Sequence, residues 1–292
     1  MELDIKKIKQ SLWHHLYKLA EEIGERSIYK YSKLKETANY IISYFKELDY
    51  QVETQQYDFM GKVLTNIIAM PRCLIKNYII CAHYDSVAGS PGADDNASGI
   101  AVILELARLI REINLKEVPV KFIAFTAEEP PLFGTHYMGS YVYAERAKAN
   151  KEKIDGVICL EMVGYFTDKE KSQKFPFPLQ FFGYPRIGNF IAVIGNRRSK
   201  ELVEKIVSAF KLNPALPVES LTVPGNGYIL YPVRLSDHAN FWDKGYKAIM
   251  LTDTAFYRNP NYHTKYDKLE TLNLDMIAEL VKSLMYFILK VQ

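Results

Sequence analysis

Residues 78–86 read Tyr78-Ile79-Ile80-Cys81-Ala82-His83-Tyr84-Asp85-Ser86, an apolar run that ends abruptly in polar and ionisable side chains. So short an apolar run is the pattern of a strand buried on both faces. It recurs at Val118–Phe125 (VPVKFIAF), which gives way to Thr126-Ala127-Glu128-Glu129, and at Gly156–Leu160 (GVICL), which gives way to Glu161. Between these runs lie stretches with apolar residues at helical spacing, most clearly Gly99–Ile113 (GIAVILELARLIREI). Buried strands alternating with helices specify an α/β fold, a three-layer α/β/α sandwich around a central, mostly parallel, mixed sheet. Ligands of such sheets gather at the carboxyl ends of the strands. His83, the Glu128-Glu129 pair and Glu161 all fall there.

The same reading extends to both ends of the chain. Helical spacing is predicted over residues 3–22, 33–48, 135–149, 199–211 and 273–290. Extended segments are predicted at 50–59 and 62–70, and in FIAVIG (190–195) and YKAIMLT (246–252). A Pro- and aromatic-rich excursion at 165–188 and the turn Pro224-Gly225-Asn226-Gly227-Tyr228 are the expected rims of a pocket. No repeat or linker interrupts the pattern. The expectation is one domain over 1–292, with residues 1–30 as a helical extension.

Composition agrees with an enzyme. With 48% hydrophobic and 24% charged residues the chain can bury a sizeable core and is not of disordered type. Its net charge of +3 comes from dispersed basic residues, which argues against a nucleic-acid or membrane surface. Cys73, Cys81 and Cys159 form no even framework and no CxxC, so reduced thiols are expected. The N-terminal segment MELDIKKIKQSLWHHLYKLAEEIG lacks the apolar core of a signal peptide, and the expected location is cytoplasmic.

Five residues able to bind a metal occur in separate motifs: His83 in CAHYDS, Asp95 in PGADDNASG, Glu129 in FTAEEP, Glu161 in CLEMVGY and His263 in YHTKYD. Imidazoles and carboxylates in this mixture are the donors of zinc sites. The two-residue spacing of His83 and Asp85 places both on one side of a strand, where Asp85 can accept the spare ring N–H of a metal-bound imidazole. The bland alternative is a hydrogen-bonded pair at a strand end. Of Asp94 and Asp95, one can cap the following helix while the other faces a metal, and sequence alone leaves the choice open. Adjacent Glu128 and Glu129 follow a buried strand, where charge is costly unless used. One can coordinate while the other takes a proton from water. Ser236-Asp237-His238 reads equally well as a helix cap or as support for a metal centre. Arg258, five residues before His263, can fork onto a substrate carboxylate or form a structural ion pair.

Taken together, HYDS, PGADDNASG, AEE, EMVGY, SDH and YHTKYD resemble the co-catalytic dizinc aminopeptidases of the bacterial leucine-aminopeptidase type, relatives of glutamate carboxypeptidase and glutaminyl cyclase. The motifs run from 83 to 267, and the resemblance extends from about residue 30 to the C-terminus. It implies a zinc-exopeptidase fold and two zinc ions, one held by His83 and Glu161 and the other by Glu129 and His263, with Asp95 bridging. It further implies Glu128 as general base, Asp85 as a catalytic-site residue, and Tyr262 as a hydroxyl for the oxyanion. His238 and Arg258 become candidates for substrate binding. The chain departs from the family at Glu161, where Asp is usual. The activity implied is aminopeptidase action on peptides by a water that two zinc ions activate. A carboxypeptidase of the same scaffold, a one-zinc glutaminyl cyclase acting by acyl transfer, and a binding module that has lost its chemistry are the alternatives. Nothing in these motifs states an oligomeric state.

Overall fold

The computed structural model describes residues 3–292. The chain opens with α1 (Ile5–Leu16), whose wider-wound continuation runs over Tyr17–Ile23, and α2 (Tyr31–Glu47). Strands β1 (Gln51–Phe59), β2 (Lys62–Met70) and β3 (Leu74–His83) lead to α3 (Gly99–Glu112), β4 (Val118–Phe125), α4 (Gly139–Ala149) and β5 (Gly156–Glu161). The second half carries β6 (Ile191–Asn196), α5 (Lys200–Phe210), β7 (Val218–Val223), α6 (His238–Lys244), β8 (Ala248–Thr252) and α7 (Leu274–Lys290).

All eight strands join one sheet in the order β1-β2-β4-β3-β5-β8-β6-β7. The pairs β3–β4, β3–β5, β5–β8 and β6–β7 are parallel, and β1–β2, β2–β4 and β6–β8 are antiparallel. The sheet is therefore mixed, with its parallel centre formed by the strands that end in the candidate ligands. Every residue of β4 and β5 is buried, as their unbroken apolar runs require.

Alternation along the strands divides the core in two. Ile80 and Ala82 of β3 and Val120, Phe122 and Ala124 of β4 face a large cluster built with α1, α2, α3, α5 and α7. Ile79 and Cys81, with Ile123 and Phe125, face a smaller one built with α4 and α6. These clusters are the two interfaces of a three-layer sandwich. The helix ends carry the expected caps: the Asp4 side chain accepts from Lys7 N at the start of α1, and Asn273 accepts from Met276 N at the start of α7.

One element was not anticipated: β7 (VESLTV) is an edge strand with polar and apolar residues interleaved. The helix that Ser236-Asp237 could cap is present as the short α6, with Asp237 at its N-cap position. The first thirty residues are also less of an appendage than their position suggests. Ile8, Leu12, Leu16 and Leu19 are fully buried in the larger cluster. Of the cysteines, Cys81 and Cys159 are buried in paired strands, whereas Cys73 is exposed.

Candidate metal centre

Strand ends bring the candidates to one place. His83 closes β3, Glu161 closes β5, and Glu128 and Glu129 lie just past β4. Asp95 comes from the turn that precedes α3, and His263 from the loop after β8. His83, Asp95 and Glu161 form one group of potential ligands and Asp95, Glu129 and His263 a second, with the offered atoms of each group within 4.8 Å of one another.

Asp95 belongs to both groups, and its two oxygens divide between them. Oδ1 lies 3.3 Å from His83 Nε2, and Oδ2 lies 3.2 Å from His263 Nε2. Glu161 Oε2 stands 3.4 Å from His83 Nε2, and Glu129 Oε2 stands 3.2 Å from His263 Nε2. Glu128 joins neither group, though its Oε2 reaches to 3.9 Å from His83 Nε2. Backbone geometry is unusual beside these side chains: Ala127, Met162 and His263 itself adopt positive φ of 60°, 48° and 57°. Non-glycine residues take this conformation at a cost, and such positions cluster at functional sites.

The electrostatics are those of acids crowded around two imidazoles. Burial pushes Glu129 up to about 8, an effect that Asp95 adds to and His263 opposes. Burial likewise holds Glu128 well above the usual carboxylate range; His83 opposes this, and Glu161, Asp237 and Glu129 add to it. Burial would lower His263, but hydrogen bonding to Asp95 and Glu129 prevails and lifts it to about 10. Burial alone would raise Asp95, yet its contacts with both imidazoles hold it well below the usual carboxylate range.

These residues fit zinc. Nε2 of His83 is fully buried and has no hydrogen-bond partner, although carboxylate oxygens stand close around it. Hard and borderline donors converging in this way suit a divalent cation that relieves the carboxylates' repulsion.

A surrounding shell holds the donors in place. Asp85 does so differently from the expectation. Its carboxylate stands 3.6 Å from His83 Nδ1, while its backbone carbonyl is nearer at 3.2 Å. The carboxylate instead accepts the backbone N–H groups of Glu128 and Glu129 at 3.2 and 3.0 Å. Asp267, the last residue of YHTKYD, does the same for the other adjacent pair and accepts from Asp94 N and Asp95 N at 2.9 and 3.1 Å. Ser236 Oγ donates to Glu161 Oε2 at 2.6 Å, and Val87 N donates to Glu129 Oε1 at 3.0 Å. Asp94 faces away from the imidazoles and accepts from Gly164 N and Asn259 Nδ2.

Arg26 was missed at the sequence level. It is fully buried, and its guanidinium donates to the carbonyls of Leu19, Gly24, Tyr84, Pro91 and Gly92. The last three carbonyls lie on the loop that joins His83 to Asp95. No motif signals this role, because the acceptors are backbone atoms distant in sequence.

Tyr262 stacks on His263, with ring centroids 3.7 Å apart, and burial followed by the nearby carboxylates raises its hydroxyl far above the ordinary tyrosine range. Arg258 is bound elsewhere through two of its nitrogens, and its buried Nη2 has no hydrogen-bond partner among the described residues. Nε donates to Gln173 Oε1 and Nη1 to the Phe190 carbonyl, and the guanidinium lies over the Phe190 ring. His238 pairs Nε2 with the Val233 carbonyl at 2.7 Å and sets its ring edge-on to Trp242. Its neighbour Asp237 is fully buried with both oxygens unpaired, and burial raises it to about 7.

A cleft of about 850 Å³, part of it open to solvent, lies beside the centre, with Glu161 and Tyr262 in its wall. The 165–188 excursion contributes Gln173–Pro176, Leu179 and Tyr184 to that wall, as expected. The 224–228 turn does not reach it; Pro232, Val233 and Leu235 do.

Comparison with known proteins gives one family. The sequence profile of Peptidase family M28 matches residues 66–288. Uncharacterized protein YfbL of Escherichia coli (strain K12) is 37% identical over 276 residues, covering 90% of this chain and 82% of that protein. A probable zinc metalloprotease of Leptosphaeria maculans is 27% identical over 219 residues, covering 70% of this chain and 48% of the other, so the chain spans about half its length. Among solved structures, BSAP, a zinc aminopeptidase from Bacillus subtilis, superposes with a TM-score of 0.73 at 18% identity, covering 100% of this chain and 96% of that one. Porphyromonas gingivalis glutaminyl cyclase does so with a TM-score of 0.71 at 15% identity, covering 97% and 98%. At those identities the likeness is one of fold.

Proposed function

Since this chain belongs to Peptidase family M28 and is a zinc metallopeptidase, we propose that it is an aminopeptidase holding two zinc ions and releasing N-terminal residues from peptides. The observation that carries the reading is the division of Asp95 between the two imidazoles, with Glu128 outside both groups and its Oε2 3.9 Å from His83 Nε2. His83 and Glu161 are the further ligands of one ion, and Glu129 and His263 those of the other. Zinc supplies Lewis acidity toward the scissile carbonyl and lowers the pKa of the attacking water toward neutrality.

The chain's own residues do the rest. Glu128, buried and held at the strand end by its N–H bond to Asp85, takes the proton from the attacking water and returns it to the departing amine. Tyr262, with its hydroxyl kept protonated, donates to the oxyanion of the tetrahedral intermediate. Glu161, in the cleft wall beside the metal centre, suits a substrate's free α-amine. A carboxypeptidase would be expected to hold a buried cation in the cleft to grip a carboxylate. Arg258 is not among the residues lining the cleft and binds Gln173 and the Phe190 carbonyl, and the one lysine or arginine among the described lining residues is Lys174, which is exposed.

The test compares aminoacyl p-nitroanilides with their N-acetylated forms, using purified protein with zinc. Hydrolysis of the free-amine substrates alone is expected, with Glu128→Ala lower by about 10²–10⁴-fold. Equal turnover of the acetylated forms, full activity in Glu128→Ala, or pyroglutamate as the product from glutaminyl peptides would each sink the reading.

A further inference from the structure

One charged group in the cleft is used by nothing described so far. Glu219 lies on the edge strand β7, half-buried in the cleft wall, and has no hydrogen-bond or ion-pair partner among the described residues. Burial alone raises its pKa, and no neighbouring charge contributes. The Tyr184 hydroxyl beside it donates to the Ser220 carbonyl, and Lys174, the other charged side chain in the wall besides Glu161, is exposed without an ion pair.

The position of Glu219 relative to the metal centre follows from register. Glu161 on β5 pairs with Thr252 on β8, Thr252 pairs with Ala192 on β6, and Ala192 pairs with Glu219 on β7. All four line the cleft. A metal-centre carboxylate and a free carboxylate thus stand on one face of the sheet in a single cross-strand row. Three strand spacings separate their backbones, about 14 Å. The wall between is apolar, made by Phe190, Ile194, Leu221, Leu235 and Met250.

We propose that Glu219 is the specificity determinant of this cleft and selects peptides whose N-terminal residue is lysine or arginine. The inference rests on the aminopeptidase reading and names its substrate class. An extended lysine spans about 7–8 Å from its α-amine to its ε-amine, and a contact of about 3 Å at each end brings the reach to about 14 Å, the length of the row. Arginine reaches about 1 Å further. The aliphatic stem lies along the apolar wall while the cationic head meets the carboxylate, the division of labour these side chains favour. An aliphatic residue would fill the wall and leave Glu219 without a partner.

The experiment pairs lysine with norleucine, which has the same aliphatic chain and no ammonium. kcat/KM is measured for lysyl, arginyl and norleucyl p-nitroanilides, and binding of free lysine and norleucine is followed by calorimetry on the zinc-loaded protein. Wild type is expected to favour lysine over norleucine by about tenfold in both readouts, as befits a charge-assisted contact. The ratio should collapse toward one in Glu219→Gln and reverse in Glu219→Lys, with part of the arginine preference kept by the shorter Glu219→Asp. A ratio near one in wild type, or a ratio that survives Glu219→Gln, overturns the proposal. If no aminoacyl substrate is turned over, the aminopeptidase reading fails on its own, and the calorimetric ratio still decides whether Glu219 binds the cation.

Discussion

The carboxylate of Asp267 receives the backbone N–H groups of both Asp94 and Asp95, one on each oxygen, at 2.9 and 3.1 Å. It fixes the peptide that carries the carboxylate shared by the two imidazoles. Asp85 holds Glu128 and Glu129 in the same manner at the end of β4. Each adjacent pair of acids is thus aimed by a third carboxylate that touches no imidazole Nε2.

Asp267→Asn keeps the size of the side chain but turns an NH2 group toward an N–H donor. We expect zinc affinity to fall about 10–100-fold, as when groups that orient ligands are lost. Competition with a chelating dye measures this on folded protein. An affinity unchanged within twofold would show that the turn before α3 holds its shape without Asp267.

Glu161 offers a separate test of the ligand set. Glu161→Gln is expected to weaken one ion and spare the other, because Glu129, His263 and Asp95 remain as a second group. Glu161→Asp shortens the arm and breaks the 2.6 Å bond from Ser236, so it should bind both ions with one weakened. Metal stoichiometry by elemental analysis after dialysis separates the cases. Two tightly held ions in Glu161→Gln would remove Glu161 from the ligands.

The parts of this centre that were legible in sequence share one property. His83, Glu128, Glu129 and Glu161 each sit where an apolar run stops, so local pattern and strand topology place them together. The choice between Asp94 and Asp95 was not local. It depends on Asp267 and Asn259, more than 160 residues away, which bind Asp94 and the turn and leave the Asp95 carboxylate facing the imidazoles. The expected bond from Asp85 to the ring of His83 assumed that shared strand side decides the partner. The N–H groups of Glu128 and Glu129 compete for that carboxylate across the β3–β4 pair. β7 was hidden because its outer half needs no apolar residues, an edge strand's alternation being weak in so short a segment.

Arg26 makes the N-terminal segment part of the centre. Its buried guanidinium is satisfied by backbone carbonyls alone, including three on the loop between His83 and Asp95. Arg26→Met leaves those carbonyls buried and unpaired, and a loss of about 3–5 kcal/mol in unfolding free energy is expected. Lysine cannot reproduce the fork, so Arg26→Lys should recover little of it. Urea unfolding of the three proteins with chelator present isolates the effect from metal binding. A loss below about 1 kcal/mol would mean that water takes over the guanidinium's role.

Acid should weaken the same N-terminal region through His15. Its ring is buried between α1 and α2, with Nδ1 2.6 Å from the Tyr40 hydroxyl, Nε2 unpartnered among the described residues, and its plane perpendicular to the Tyr44 ring. Burial first, and then the positive charges of His14 and Arg108, lower its pKa to about 3. The unfolded chain protonates near 6.5 and the folded chain does not. The stability that neutral His15 represents is therefore complete above about pH 6.5 and drains away as pH falls toward 3. The slope is about 1.4 kcal/mol per pH unit, which amounts to about 2 kcal/mol by pH 5. Urea midpoints at pH 7.5 and 5.0, with chelator present, should converge in His15→Gln by that amount relative to wild type. If the two proteins lose stability in parallel, His15 is protonated in the folded state, and the contact between α1 and α2 is open to water.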